Sequence, residues 1–114
     1  MDKAILERST FGEWLRMQRE ARDWPLRKVA ALLDIDTSIV SKLERGQRQP
    51  QREYVEKLAL IFGEDAGALL VLYLADRVAY ELAPEGCSDE VLQAAEAKIK
   101  YLRAKNAKQG ELEF

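Results

Sequence analysis

Side chains able to do covalent chemistry are scarce in this sequence: it has no histidine and a single cysteine, Cys87. The missing imidazole removes the commonest general base, the usual nucleophile–histidine arrangements and the most frequent zinc ligand. One cysteine allows neither a disulfide within the chain nor a thiolate metal cluster. No Gly-rich phosphate loop occurs and the carboxylates are scattered along helical faces, so no catalytic residue, metal ligand or cofactor is expected. What remains is non-covalent recognition. The stretch DIDTSIVSKLERG, residues 34–46, reads as a short helix that sets Val40 and Leu43 inward. Its other side carries Thr37, Ser38, Ser41 and Lys42, all small or flexible polar groups. Lys42, Arg45, Arg48, Arg52 and Lys57 crowd one interval and are opposed there by Glu44, Glu53 and Glu56. Such an edge fits bound phosphate and a solvated helical face equally well.

Charge is unevenly spread around a net of -2. Residues 1–63 hold 12 Lys/Arg against 10 Asp/Glu, whereas residues 64–114 hold 6 against 10. An acidic chain can still bind phosphate at a basic edge, because screening confines repulsion to about 8 Å at physiological salt. At 47% hydrophobic and 33% charged residues, the composition is that of a folded domain rather than a disordered chain. The longest apolar run, Ala66 to Ala75, is too short to cross a bilayer, and the charged beginning MDKAILERST lacks a signal-peptide core. A cytoplasmic protein without membrane contact is the expectation.

Apolar positions recur with helical spacing throughout, so the fold class is read as all-α. A helix over about Thr10–Arg22 buries Phe11, Trp14 and Leu15 behind a Thr10 cap, with Gln18 at the end of the stripe. A second runs from about Pro25 to Leu33 with Leu26, Val29, Ala30 and Leu33 inward. After a turn over 34–36, capped by Asp36 or Thr37, the third helix stops at Gly46, a left-handed terminator. The fourth, about Gln51 to Phe62, buries Tyr54, Val55, Leu58 and either Ile61 or Phe62. A fifth continues to about Ala83 and is apolar over a wide arc. Pro84 and Gly86 break it, and Ser88 caps a sixth over about 89–106, whose Leu92, Ala95, Ile99 and Leu102 form a narrow 3-4-3 seam. Cys87 sits in the breaker segment without a basic neighbour and is read as incidental rather than a redox sensor.

Arg19, the block VAALLDI at 29–35, VSKLERG at 40–46 and Pro50 together resemble the helix-turn-helix domain of Cro and the lambda-type repressors, the XRE family. The resemblance covers about residues 10–70. It implies a five-helix domain whose third helix enters the DNA major groove. Thr37, Ser38 and Lys42 then match base-reading positions, with Ser41 on the same side reaching a base or a phosphate. Arg45, Gln47 and Arg48 would hold phosphates, with Arg27 and, less directly, Arg52 as helpers. Arg45 has a second explanation as a cation at a negative helix end. Ile39 stands where a short polar residue is common; thymine methyls and packing on the second helix are the two explanations. Arg19 and Glu44 match an ion pair that orients the recognition helix. Two positions depart from the family pattern: Pro25-Leu26 replaces a capping Ser/Thr and Gln, and Asp34 takes the glycine place in the turn.

The implied organisation is a DNA-binding domain over 8–70, a helical dimerisation arm over 71–106 and a flexible tail over 107–114. Leu69, Leu72 and Tyr73, with Leu92, Ile99 and Leu102, are the expected dimer interface. The terminal helices also resemble, less specifically, those of restriction-modification controller proteins. The function so implied is a transcriptional regulator, a repressor or autoregulator, acting as a homodimer on a palindromic operator in double-stranded DNA. The alternative is an interaction module or antitoxin whose C-terminal helices bind another protein.

Overall fold

The computed structural model describes residues 1–86 and 88–113, with side chains through Lys108. Cys87 and Phe114 lie outside the described residues, and with Cys87 the incidental role expected for its thiol. The helices are α1 Lys3–Arg8, α2 Phe11–Ala21, α3 Leu26–Leu33, α4 Thr37–Glu44, α5 Arg52–Phe62, α6 Ala66–Leu82 and α7 Asp89–Glu113, with a 3-10 turn at Ala83–Glu85. No strand occurs among the described residues, as an all-α chain requires. The helices split into two units, residues 1–80 and residues 81 onward.

Helix starts and stops follow local chemistry. Thr10 Oγ1 accepts from the Glu13 amide at 3.2 Å, closing the first turn of α2. Pro25 stands just before α3 with φ -72°, where its missing N–H costs no hydrogen bond. Four helices end alike. After α2, α3, α4 and α5 the chain passes through a left-handed residue, Asp23, Asp34, Gly46 and Gly63 in turn, each with φ between 56° and 70°. Beyond each, the next amide bonds back to a carbonyl five residues earlier: Trp24 to Arg19, Ile35 to Ala30, Gln47 to Lys42, Glu64 to Ala59. Asp34 tolerates this conformation better than most non-glycine residues, which is how the turn survives without glycine. Asp36 occupies the cap position of α4, but neither its side chain nor that of Thr37 provides the expected cap bond there.

One element was not anticipated. Asp2 caps α1 by accepting from the Ala4 amide at 3.1 Å, while Met1, Ile5 and Leu6 lean on the core. Six residues are too few for a 3.6-residue period to declare itself in sequence. At the other end α7 runs on to Glu113, past the expected stop near Asn106.

The core of the first unit collects Phe11, Trp14 and Leu15 from α2, Val29 and Leu33 from α3, Val40 and Leu43 from α4, and Val55 and Leu58 from α5. Trp14 lies 5.6 Å from the Phe11 ring and 5.7 Å, edge-on, from Phe62. Of the pair left open in α5, Phe62 is buried and Ile61 half-buried. Helix α6 changes the expected division of labour. Leu69, Leu72 and Tyr73 were expected at a dimer interface, yet they are 0%, 0% and 7% exposed within the chain itself. A side chain already enclosed by its own core has no surface left for a second subunit, so these three are core residues. For the same reason the first unit extends to Tyr80 instead of stopping near residue 70.

Asp76 shares this inner face with Leu69, Leu72 and Tyr73 at helical spacing, and it is buried too. Its Oδ2 accepts from the Phe11 amide at 2.7 Å, so a carboxylate from α6 caps the first turn of α2 across 65 residues of sequence. Burial pushes the Asp76 carboxyl above its usual range; the Phe11 N–H works in the opposite direction and Glu13 adds a smaller upward push. A raised carboxyl pKa means the folded chain holds its proton to higher pH than the unfolded chain. Stability is therefore lost as pH rises from the unfolded value, about 3.9, through the raised folded value, and the penalty stays constant above it. Asp76→Asn keeps an acceptor for Phe11 and removes that loss. Denaturant melts at acidic and neutral pH should show the Asn variant gaining on the parent as pH rises. Asp76→Ala should lose about 1–3 kcal/mol at both, by orphaning a buried amide.

Candidate nucleic-acid interface

The outward face of α4 is built by subtraction. Val40, Leu43 and Glu44 are buried and Ile39 leans on the core, and the helix is only two turns long, so Thr37, Ser38, Ser41 and Lys42 are left to its outer side. Thr37, Ser38 and Lys42 are exposed and Ser41 is half-buried, which leaves hydroxyls and one ammonium on an otherwise low-relief surface. Ile39 is half-buried and packs against the core, so packing accounts for it without any thymine methyl. Directly beyond the helix come Arg45, Gln47 and Arg48, all exposed. Arg27 is exposed in the first turn of α3, beside Lys28, some seven residues and about 10 Å of helix away from the turn at Asp34.

Ion pairing separates the cations that sequence grouped together. Arg52 is bonded to Glu56 at 3.3 Å and Lys57 to Glu53 at 3.3 Å, both along α5. Among the described residues, no carboxylate lies within ion-pair reach of Arg27, Lys42, Arg45 or Arg48. Arg45 does donate from Nε to the Ser41 carbonyl at 3.3 Å, so part of its guanidinium serves the negative end of α4 while the rest faces solvent. An unpaired cation is the kind that a phosphate can engage without first displacing a protein carboxylate.

Behind this face, α4 is held at its C-terminal end by two contacts with α2. Arg19 of α2 forks onto Glu44, Nε to Oε2 at 2.7 Å and Nη2 to Oε1 at 2.9 Å, with the side chains 14% and 6% exposed. This bidentate bond raises the Arg19 pKa further, against the pull of burial. The remaining Arg19 nitrogen, Nη1, donates to the Trp24 carbonyl at 2.8 Å, fastening the α2–α3 loop to the same guanidinium. Gly12 supplies the second contact: a Cβ there would collide with the Leu43 carbonyl oxygen and come within 2.7 Å of that of Glu44. Just beyond α4, the Tyr80 hydroxyl of α6 lies 2.7 Å from where a Gly46 Cβ would stand. No role in bracing the site was expected of Gly12, Asp76 or Tyr80 from the sequence. A glycine inside a helix was the available signal for the first, since it costs helix stability and needs a reason to be there.

Comparison with known proteins agrees with this arrangement. Residues 15–69 match the family described as Helix-turn-helix. Over 78 residues, 68% of the chain, it is 36% identical to proteins named uncharacterized HTH-type transcriptional regulators, one from Mycobacterium bovis and two from strains of Mycobacterium tuberculosis. The match spans only 30% of each relative's length. Among the described residues no helix is long and apolar enough to cross a membrane.

Breaking the Arg19–Glu44 fork strands a charge in a nearly closed site. Glu44→Ala should cost about 3–5 kcal/mol in urea unfolding, and Arg19→Ala at least as much because the Trp24 carbonyl loses its donor too. A loss below about 1 kcal/mol for both would mark the pair as an ordinary solvated one. Gly12→Ala should cost about 1–3 kcal/mol, since the obstructing atoms are backbone and have no rotamer to escape into.

Proposed function

With residues 15–69 a helix-turn-helix domain of the XRE family, we propose that this chain is a transcriptional regulator that reads duplex DNA with α4. The observation that carries the reading is the outer face of α4: polar, exposed, and free of any described carboxylate partner at Lys42. Thr37, Ser38, Ser41 and Lys42 meet base edges in the major groove, where hydroxyls accept or donate and an ammonium donates to guanine O6 or N7. Arg45, Gln47, Arg48 and Arg27 grip phosphates and set the register of the helix on the duplex. Arg52, tied to Glu56, contributes less.

The chain acts as a homodimer and its site is palindromic. Two copies of α4 related by a twofold axis would sit about one DNA turn apart, roughly 34 Å. With Leu69, Leu72 and Tyr73 withdrawn into the core, the dimer surface falls to the exposed Leu92, Ile99 and Leu102 of α7. Occupying promoter DNA in this way makes the protein a repressor or autoregulator.

Binding to a selected operator, measured by fluorescence polarisation across a salt series, tests the assignment. Arg48→Ala should weaken every site to a similar degree and reduce the salt slope by about one. Ser38→Ala or Lys42→Ala should instead change which base is preferred, by about 1–3 kcal/mol at a single position. Unchanged relative preferences after substituting all four groups of α4 would remove them from base reading.

A further inference from the structure

The segment between α4 and α5, residues 46–50, presents Gln47 and Arg48, two of the groups proposed above to grip phosphate, yet little hydrogen bonding holds it. The Gln47 amide bonds to the Lys42 carbonyl at 2.9 Å, but beyond it, among the described residues, the Arg48 and Gln49 amides donate to no backbone carbonyl. Pro50 has no N–H to give. Packing therefore sets the segment. At its far end Pro50 is buried. At its near end the chain turns through Gly46 at φ 70°, and the space that a Cβ would fill is taken by Tyr80 of α6, with Oη 2.7 Å and Cζ 3.6 Å from that point. Tyr80 borders one crevice with Gly46, Arg48, Gln49 and Pro50, and the crevice is too narrow to admit a water molecule, so no water layer separates ring from loop. Asp76 lies in the same crevice, one helical turn before Tyr80. Its bond to the Phe11 amide at 2.7 Å fixes the stretch of α6 from which Tyr80 projects.

We propose that Tyr80 is a positioning residue for DNA binding: its ring holds the 46–50 loop so that Arg48 meets a phosphate already in place. The inference rests on the reading of Arg48 as a phosphate contact and adds what orders it. Two parts of the interface then have separate supports. Helix α4 is carried by α2, through the Arg19–Glu44 fork and the close approach at Gly12, whereas the loop beyond it is carried by α6. Arg48 has no carboxylate within ion-pair reach among the described residues, so the backbone it springs from has to place it. A cation on a long stem binds more weakly when its own segment must be ordered at the moment of contact. Phosphate contacts set register and carry no sequence information. Loosening the loop therefore costs affinity at every site and leaves base preference to α4.

Polarisation titrations of the full chain, on a selected operator and a panel of its single-base variants and corrected for active fraction, test the role. Tyr80→Ala should weaken binding to every duplex by a similar factor, roughly three- to tenfold, the cost of ordering one long side chain. Relative preferences among the duplexes should stay as they were. In an Arg48→Ala background the same substitution should change affinity by less than about 1.5-fold, because the group it acts through is gone. A role confined to general stability would lower the melting temperature and the active fraction without this dependence on Arg48. Tyr80→Leu, which retains more of the apolar contact, carries the same comparison where the alanine chain is unfolded at the assay temperature. An equal loss in both backgrounds, an altered base preference, or no loss at all would overturn the positioning role, while a weakening by Arg48→Ala alone would still support the phosphate reading. Should Arg48→Ala by itself leave affinity unchanged, that reading fails and the positioning role with it.

Discussion

The seating of α2 against the last turn of α4 is the contact on which the arrangement depends. At Gly12 the helices approach so closely that a single methyl group would meet two carbonyl oxygens. Seven residues on, Arg19 reaches back to grip Glu44 with two hydrogen bonds and to hold the Trp24 carbonyl with a third nitrogen. Close approach supplies shape, and the fork supplies direction. A two-turn helix such as α4 has too few residues to hold an orientation by packing alone, and its apolar side offers only Val40 and Leu43 as fully buried anchors. Fixing it at the back leaves the whole front free of structural duty.

That division of labour explains where charge is tolerated in the interior. The two buried acidic residues among those described, Glu44 and Asp76, each answer a specific donor: a guanidinium in one case, the Phe11 amide at the start of α2 in the other. Both therefore act on α2, one at each end, and α2 in turn positions α4. Helix α6 is the outer brace of the system, carrying Asp76 to the start of α2 and Tyr80 to Gly46 beyond the end of α4. The polar surface proposed to read DNA is thus supported by groups that need never touch it.

Much of this was legible in particular residues. Thr10 before an apolar-periodic stretch, Pro25 at a helix start, and Gly46 and Gly63 after the last inward residue mark boundaries because each acts through its own backbone and its immediate neighbours. Asp34 was readable as a left-handed turn residue through the resemblance, in which it takes the glycine place. The Arg19–Glu44 pair was reachable only through likeness to a family, since nothing in the stretch between two charges 25 residues apart says that they will meet. The seam of Leu92, Ala95, Ile99 and Leu102 on α7 followed from spacing alone, while its exposure is read from the structure.

Where the sequence by itself decided, the physics was short-ranged: helix content, caps, turns and the polar character of one face of α4 all follow from neighbours within about one helical turn. Which side of α6 faces inward was decided by the tertiary structure. A helix apolar over so wide an arc presents no single stripe, so spacing could not choose Leu69, Leu72 and Tyr73 for the core over Val71, Leu74 and Val78, which stay exposed. The same holds for Asp76 and Gly12. A carboxylate in an apolar run reads as solvent-facing, and a glycine in a helix reads as a defect, until another helix arrives to donate an amide to the one and to lay its carbonyls against the other. Those partners lie 65 and more than 30 residues away in sequence, and only the folded chain brings them within reach.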